Sequence, residues 1–323
     1  MKMKTSHRLA LLALVLGGAS LAQAQSGERI AVFTKNQTNP FFQAVRLGAD
    51  SAAKQLNVKV THYVPTKPDS IPEQMSQIED VIVKKPDAIV FTPVDYKAMG
   101  PAVGKINAAK IPVVNVTDRS EVGNFVAFVG ASDYQLGLET TKYLIKAMGG
   151  TGNIVVLEGV KGSLTSIDRV RGFNDAVKAA PGVKVVASQP GNYQRLQALQ
   201  VMENLMQSHP KIDGVFAAND AMASGAIEAL DGAGRKALVV GINGTKEAVD
   251  AIKAGKMLAS GDYNGFLQGC VSTMTAVREL RKLPVEKDVV FPATVIAKDN
   301  LSASESPVES RSCPKWEEAI ARK

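Results

Sequence analysis

The stretch IPVVNVTDRSEVGNFVAFVGA, residues 111–131, decides the fold. Two β-branched apolar runs, IPVVNVT and FVAFVGA, are separated only by the polar loop DRSEVGN. Similar runs recur on both sides of it: RIAVFT, VKVTHY and DAIVFT before, then GNIVVLEG, VKVVASQ, IDGVFAAN, ALVVGIN and MLASGDY. Between most of those lies a segment with helical spacing of apolar residues, such as QAVRLGADSAAKQL, PEQMSQIEDVIVK, LGLETTKYLIKAMG and RLQALQVMENLMQ. Strands apolar throughout and alternating with helices form parallel sheets covered on both faces. The missing helix near the midpoint therefore marks the end of one α/β unit and the start of a second.

The expected fold class is α/β, with two Rossmann-like doubly wound lobes. In such sheets a ligand binds beyond the carboxyl ends of the strands. The residues placed there are Lys35 to Asn39, Thr92 to Tyr96, Thr117 to Arg119, Ser132 and Asp133, Tyr193, Asn219 and Asp220, Asn243, and Asp262 to Asn264. Asn and Asp are also favoured helix N-caps, so Asp133 and Asp220 read at least as well as caps. The first strand end is TKNQTNPFF, residues 34–42, which sets Lys35, Asn36 and Asn39 beside Phe41 and Phe42. A plain turn would carry Gly, Asp or Ser and hide its aromatics.

The N-terminus, MKMKTSHR followed by LALLALVLGGASLA and AQA, has the basic, apolar and small-residue regions of a secretory signal, so residues 1–24 are set apart. An uncut membrane anchor is the alternative, but the apolar run is short for a span. Losing Lys2, Lys4 and Arg8 lowers the formal charge from +7 to +4. The cations are spread along the chain, so nucleic acid is not an expected partner. Cys270 and Cys313 are the only cysteines. In an exported chain the pair can form a disulfide tying the polar tail SESPVESRSCPKWEEA to the body. Two separate thiols, Cys270 simply buried on a helix, is the other reading.

Several chemistries lack their motifs. His62 and His209 have no metal-ligand spacing. There is no G-x-S-x-G and no G-x-x-x-x-G-K-[ST], and GGTGN at 149–153 precedes a strand instead of joining strand to helix. TKNQTNPFF occupies the place of a dinucleotide-binding glycine loop. No cofactor and no enzymatic activity are expected.

Several segments occur in a telling order: TNPFF, IPVVNVTDR, FVGASDYQLG, SIDRVRGF, SQPGNYQR, HPKIDGVFAANDAMASGA and VVGINGTKEAVDAIKAGKMLAS. The series resembles the periplasmic sugar-binding proteins of ABC importers, in the ribose-binding-protein branch, over about residues 28–300. Lactose-repressor-type regulators share these lobes but begin with a helix-turn-helix, where this chain has the signal segment.

The resemblance implies two lobes joined by three hinge strands, with crossings near Ala131–Asp133, Asp262–Gly265 and Phe291–Thr294. It assigns residues 27–131 plus 265–291 to the N-terminal lobe, and 133–262 plus 294–323 to the C-terminal lobe and tail. It implies a periplasmic, monomeric binder that closes on a small sugar or polyol and delivers it to a membrane permease served by a separate ATPase. A sensory receptor, or a binder of an acidic sugar, is the alternative. Residue by residue, Asn39 falls on a hydroxyl-binding position, and Phe41 and Phe42 on positions that sandwich a sugar ring with an aromatic of the other lobe, here Tyr193. Asp118 and Arg119 fall on a pair that grips adjacent hydroxyls, and Asn219 on another hydroxyl-binding position. Thr92, Arg169, Asn243 and Tyr263 complete the expected ligand-binding set, with no metal site. The departures are Ile167 in place of a binding arginine, Asn243 in place of an aspartate, Tyr263 near a glutamine position, and Lys35 in place of a small polar residue.

Overall fold

The computed structural model describes residues 27–304 and 306–321; the expected signal segment lies outside them. The chain opens with β1 (Arg29–Phe33), α1 (Pro40–Leu56), β2 (Lys59–Tyr63), α2 (Ile71–Lys84), β3 (Ala88–Phe91), α3 (Gly100–Ala108), β4 (Val113–Val116) and β5 (Phe128–Ala131). It continues with α4 (Asp133–Ala147), β6 (Gly152–Glu158), α5 (Leu164–Lys178), β7 (Val183–Pro190), α6 (Arg195–Ser208), β8 (Gly214–Ala217) and α7 (Asp220–Gly232). Then come β9 (Leu238–Ile242), α8 (Lys246–Lys253), β10 (Ala259–Asp262), α9 (Gly265–Leu280), β11 (Asp288–Phe291), β12 (Thr294–Ala297) and α10 (Trp316–Ile320).

The strands form two six-stranded sheets, ordered β11-β5-β4-β3-β1-β2 and β12-β10-β9-β8-β6-β7. The first is parallel throughout; in the second only β12 runs antiparallel, against β10. Strands β3, β4, β5 and β8 are buried along their whole length, as sheets covered on both faces require. β4 and β5 are the two runs of the deciding stretch, and they pair in parallel without a crossover helix.

The chain passes between the sheets three times: after Ala131, where β5 hands over to α4; between Asp262 and Gly265; and between Phe291 and Thr294. The helices that flank each sheet meet through glycines. A Cβ on Gly48 of α1 would lie 2.0 Å from the Phe266 carbonyl oxygen of α9. A Cβ on Gly137 of α4 would lie 2.1 Å from the Arg169 carbonyl oxygen of α5. Backbone thus rests on backbone, and this fixes where Arg169 sits.

The tail departs from expectation. It leaves the second sheet after β12 but ends on the first lobe, where Cys313 is bonded to Cys270 of α9. Gln55 Nε2 donates to the Cys313 carbonyl, the Cys313 amide donates to Ser51 Oγ, and the Arg278 guanidinium lies 4.9 Å from the Trp316 ring. The cause is covalent and apolar. The buried partner cysteine lies on α9, and Trp316 and Ala319 are buried. Among the described residues no helix is long and apolar enough to cross a membrane.

Candidate functional site

The carboxyl ends of both sheets face one another across a cleft lined by Lys35, Asn36, Asn39, Phe41, Phe42, Asp69, Thr117, Asp118, Thr165, Arg169, Tyr193, Asn219, Asn243 and Tyr263. In this conformation the lobes are shut. The free space between them is about 30 Å³, room for about one water. Direct contacts already bridge them: Asn243 Nδ2 donates to Asn39 Oδ1 at 3.4 Å, and Thr165 Oγ1 donates to Asp118 Oδ1.

Local backbone explains much of the lining. Asn39 and Asn219 cap α1 and α7, their side chains accepting from the amides of Phe41 and Met222. Both are therefore caps and wall residues at once. Pro40 at the first turn then starts α1 so that Phe41 and Phe42 follow directly. Thr117 has φ 66°, rare for a β-branched residue, with the Asp118 amide donating to the Val116 carbonyl across a γ-turn. Two bonds hold it there: its hydroxyl donates to Gln268 Oε1, and its carbonyl accepts from Tyr263 Oη. The strain at Thr117 turns Asp118 into the cleft.

Arg119, expected to grip ligand beside Asp118, is turned the other way. Its guanidinium donates to Asp288 at 2.6 Å and lies 3.7 Å from the Phe128 ring, outside the lining. Thr92 also lies outside, buried behind β3, where its carbonyl accepts from Gln74 Nε2. Phe41 lines the cleft, but its ring stacks on Tyr263 at 4.9 Å rather than standing free, so Phe42 and Tyr193 are the less committed aromatic faces. The Arg169 guanidinium packs 4.5 Å from the same Tyr263 ring.

The cations inside the cleft are paired. Lys35 Nζ donates to Asp118 Oδ2 at 3.0 Å, both side chains being about nine-tenths buried. Burial alone would push the Lys35 ammonium down; the Asp118 and Asp69 carboxylates outweigh it and hold it above its ordinary value. Asn36 Nδ2 donates to Asp69, whose carboxyl is raised by burial. Arg169 is buried and donates to Asp133 at 2.8 Å and to the Ala218 carbonyl. Burial pushes Asp133 up to about 6, although Arg169 pulls it down. Each cation of the wall is thus paired, Lys35 with Asp118 and Arg169 with Asp133 behind it.

Asp69, Thr117 and Thr165 join the residues expected from sequence. Thr117 stands at a strand end already singled out. Asp69 follows β2 and Thr165 follows β6, two strand ends to which the same rule applies but whose loops carry no motif. Among the described residues no group of three or more His, Cys, Asp or Glu side chains is placed to hold a metal ion.

Two lobes with carboxyl-end residues converging on one cleft, joined by three crossings, define a hinged solute-binding protein. Comparison places the chain more narrowly. Residues 30–283 match the family model described as periplasmic binding protein domain. The chain is 31% identical over 285 residues to the ribose import binding protein of Haemophilus influenzae, covering 88% of this chain and 97% of that protein. Among solved structures it superposes at TM-score 0.82 and 33% identity on an ABC transporter periplasmic solute-binding protein from Actinobacillus succinogenes with bound D-allose, covering 85% of this chain and 99% of that one. It superposes at TM-score 0.80 and 29% identity on a Bacillus halodurans solute-binding protein with bound myo-inositol, covering 87% and 99%. The chain belongs to the type I periplasmic binding proteins, in their sugar-binding branch.

Proposed function

We propose that this protein is the periplasmic receptor of an ABC-type importer for a neutral sugar or polyol. It is exported by the N-terminal signal, acts as a monomer, and hands its closed, loaded form to a membrane permease powered by a separate ATPase. Relatives that bind D-allose and myo-inositol support the class. The observation that carries the ligand's neutrality is the pairing of the cations: both are already committed, Lys35 to Asp118 and Arg169 to Asp133. A sugar acid would have to break one of those buried pairs, and leaving a buried charge unpaired is costly. A neutral ligand meets amides, carboxylates and hydroxyls that pair with its rim, while Phe42 and Tyr193 offer flat surfaces to its C–H faces. The ligand favours closure because its contacts come from both lobes together.

A thermal-shift screen tests this. Neutral sugars and polyols should raise the melting temperature, because a ligand that binds only the folded state stabilises it by mass action. A rise with sugar acids such as galacturonate, and none with neutral compounds, would overturn the reading.

A further inference from the structure

The hydroxyl of Tyr193 stands apart from the other polar atoms of the cleft. Lys35, Asp118 and Thr165 are bonded to one another, Asn36 to Asp69, Asn39 to Asn243, Arg169 to Asp133 and Tyr263 to Asp133. Tyr193 Oη is buried and has no partner, the one such side-chain atom among the cleft-lining residues. A buried hydroxyl without a partner costs free energy, and a plain apolar ring would pack in the same place without that cost.

The chain also takes trouble to put this residue there. Asn192 and Tyr193 both have left-handed backbone, at φ 52° and 60°. Such a conformation is unfavourable for a residue with a bulky side chain. Asn219 Nδ2 holds the turn by donating to the Tyr193 carbonyl. Gly159, just after β6, leaves the space the ring occupies: a Cβ there would lie 2.1 Å from Tyr193 Cζ and 2.5 Å from Oη. The charges of Arg169, Asp133, Lys35 and Asp118 all act on the hydroxyl, which sets it near the middle of the site. Burial raises it above its ordinary pKa, so it stays a neutral phenol with a proton to give.

Resting on the neutral-polyol reading above, we propose that Tyr193 Oη donates a hydrogen bond to one ligand hydroxyl and is the residue that selects for that hydroxyl. The ring supplies stacking that every sugar shares. The hydroxyl supplies discrimination, because a site with a polar group waiting for a partner rejects the analogue that lacks one. The favoured ligands carry an oxygen where the second lobe meets the sugar rim, and the corresponding deoxy compounds bind more weakly.

The test is calorimetric titration of the wild type and Tyr193→Phe with D-ribose, D-allose, myo-inositol and xylitol, followed by the monodeoxy analogues of the best binder. Tyr193→Phe should bind that compound roughly tenfold more weakly. Its ligand-free melting temperature should stay level or rise, because an unsatisfied hydroxyl has been removed. One monodeoxy analogue should lose the same factor on the wild type and bind both proteins alike. Equal affinity of the two proteins for the parent compound overturns the proposal. So does a loss of affinity accompanied by a lower ligand-free melting temperature, which would mark a packing role. If the wild type binds none of the four compounds, the polyol reading itself fails, and this failure is visible before any variant is made.

Discussion

At Lys35, the departure from the family pattern has a local explanation. The sequence shows a cation at a strand end but not its partner, because Asp118 is 83 positions away. Without that contact, the lysine could equally have been waiting for an acidic ligand. Arg119 fails for the converse reason. It adjoins Asp118 in sequence, yet its guanidinium turns away to Asp288 and the Phe128 ring. Phe42 keeps its expected place on the wall, and Phe42→Ala should weaken polyol binding by about 1–3 kcal/mol through lost ring contact, measured by calorimetry. Asp262, beside the second crossing, is pushed up to about 6 by burial, against the pull of the Asn264 amide bond. A carboxyl raised in the folded state binds its proton more readily there than in the unfolded chain. Stability from this group therefore grows as pH falls from about 7 through 6, levels off below its unfolded value near 4, and is lost on going back up. In Asp262→Asn that gain is absent. The melting temperature of the wild type relative to this variant should rise as pH is lowered from 7 to 4.5; a constant difference would contradict the assignment.

Elements are more legible than contacts. Ten of the twelve strands correspond to apolar runs visible in the sequence, because nearly all are β-branched and most are followed by a helix. The two that escape, β11 and β12, are four residues each and are separated only by Pro292 and Ala293. DVVFPATVIA reads as one broken run, and nothing in its composition says that its halves enter different sheets. The helix pairings are equally silent, since a glycine inside a helix reads as a weakness until its neighbour is known. Gly137 shows why it is there: α4 crosses α5 with no room for a methyl group. Gly137→Ala should cost about 3 kcal/mol of stability by overpacking, read from urea midpoints. It should also weaken ligand binding, since the atom it strikes is the backbone of Arg169; a variant of unchanged stability would mean that the helices part easily.

For the molecule as a whole, the two-lobe plan follows from one missing helix, but the route of the tail does not. Composition shows a polar segment with one cysteine, and proximity to β12 suggests the second lobe. The bond to Cys270 on α9 and the burial of Trp316 and Ala319 carry it to the first. The bridge closes a loop of 43 residues, which in the chain-entropy account stabilises the fold by about 4 kcal/mol. The double variant Cys270→Ala/Cys313→Ala should lose an amount of that order in denaturant titrations and expose the α10 amides to hydrogen exchange. Loss of stability with α10 still protected would show that Trp316 packing alone holds the segment.

The same docking decides how the protein behaves when it is held by one end. Both β1 and α10 belong to the first lobe. A molecule fixed to a chip or bead through the residues beyond α10 is anchored by that lobe alone, and the other is left to swing. A dye placed on β7, for instance at the exposed Val185, then moves relative to the support when solute arrives, while one on α2 does not. The asymmetry makes the chain a ready frame for an optical sugar gauge.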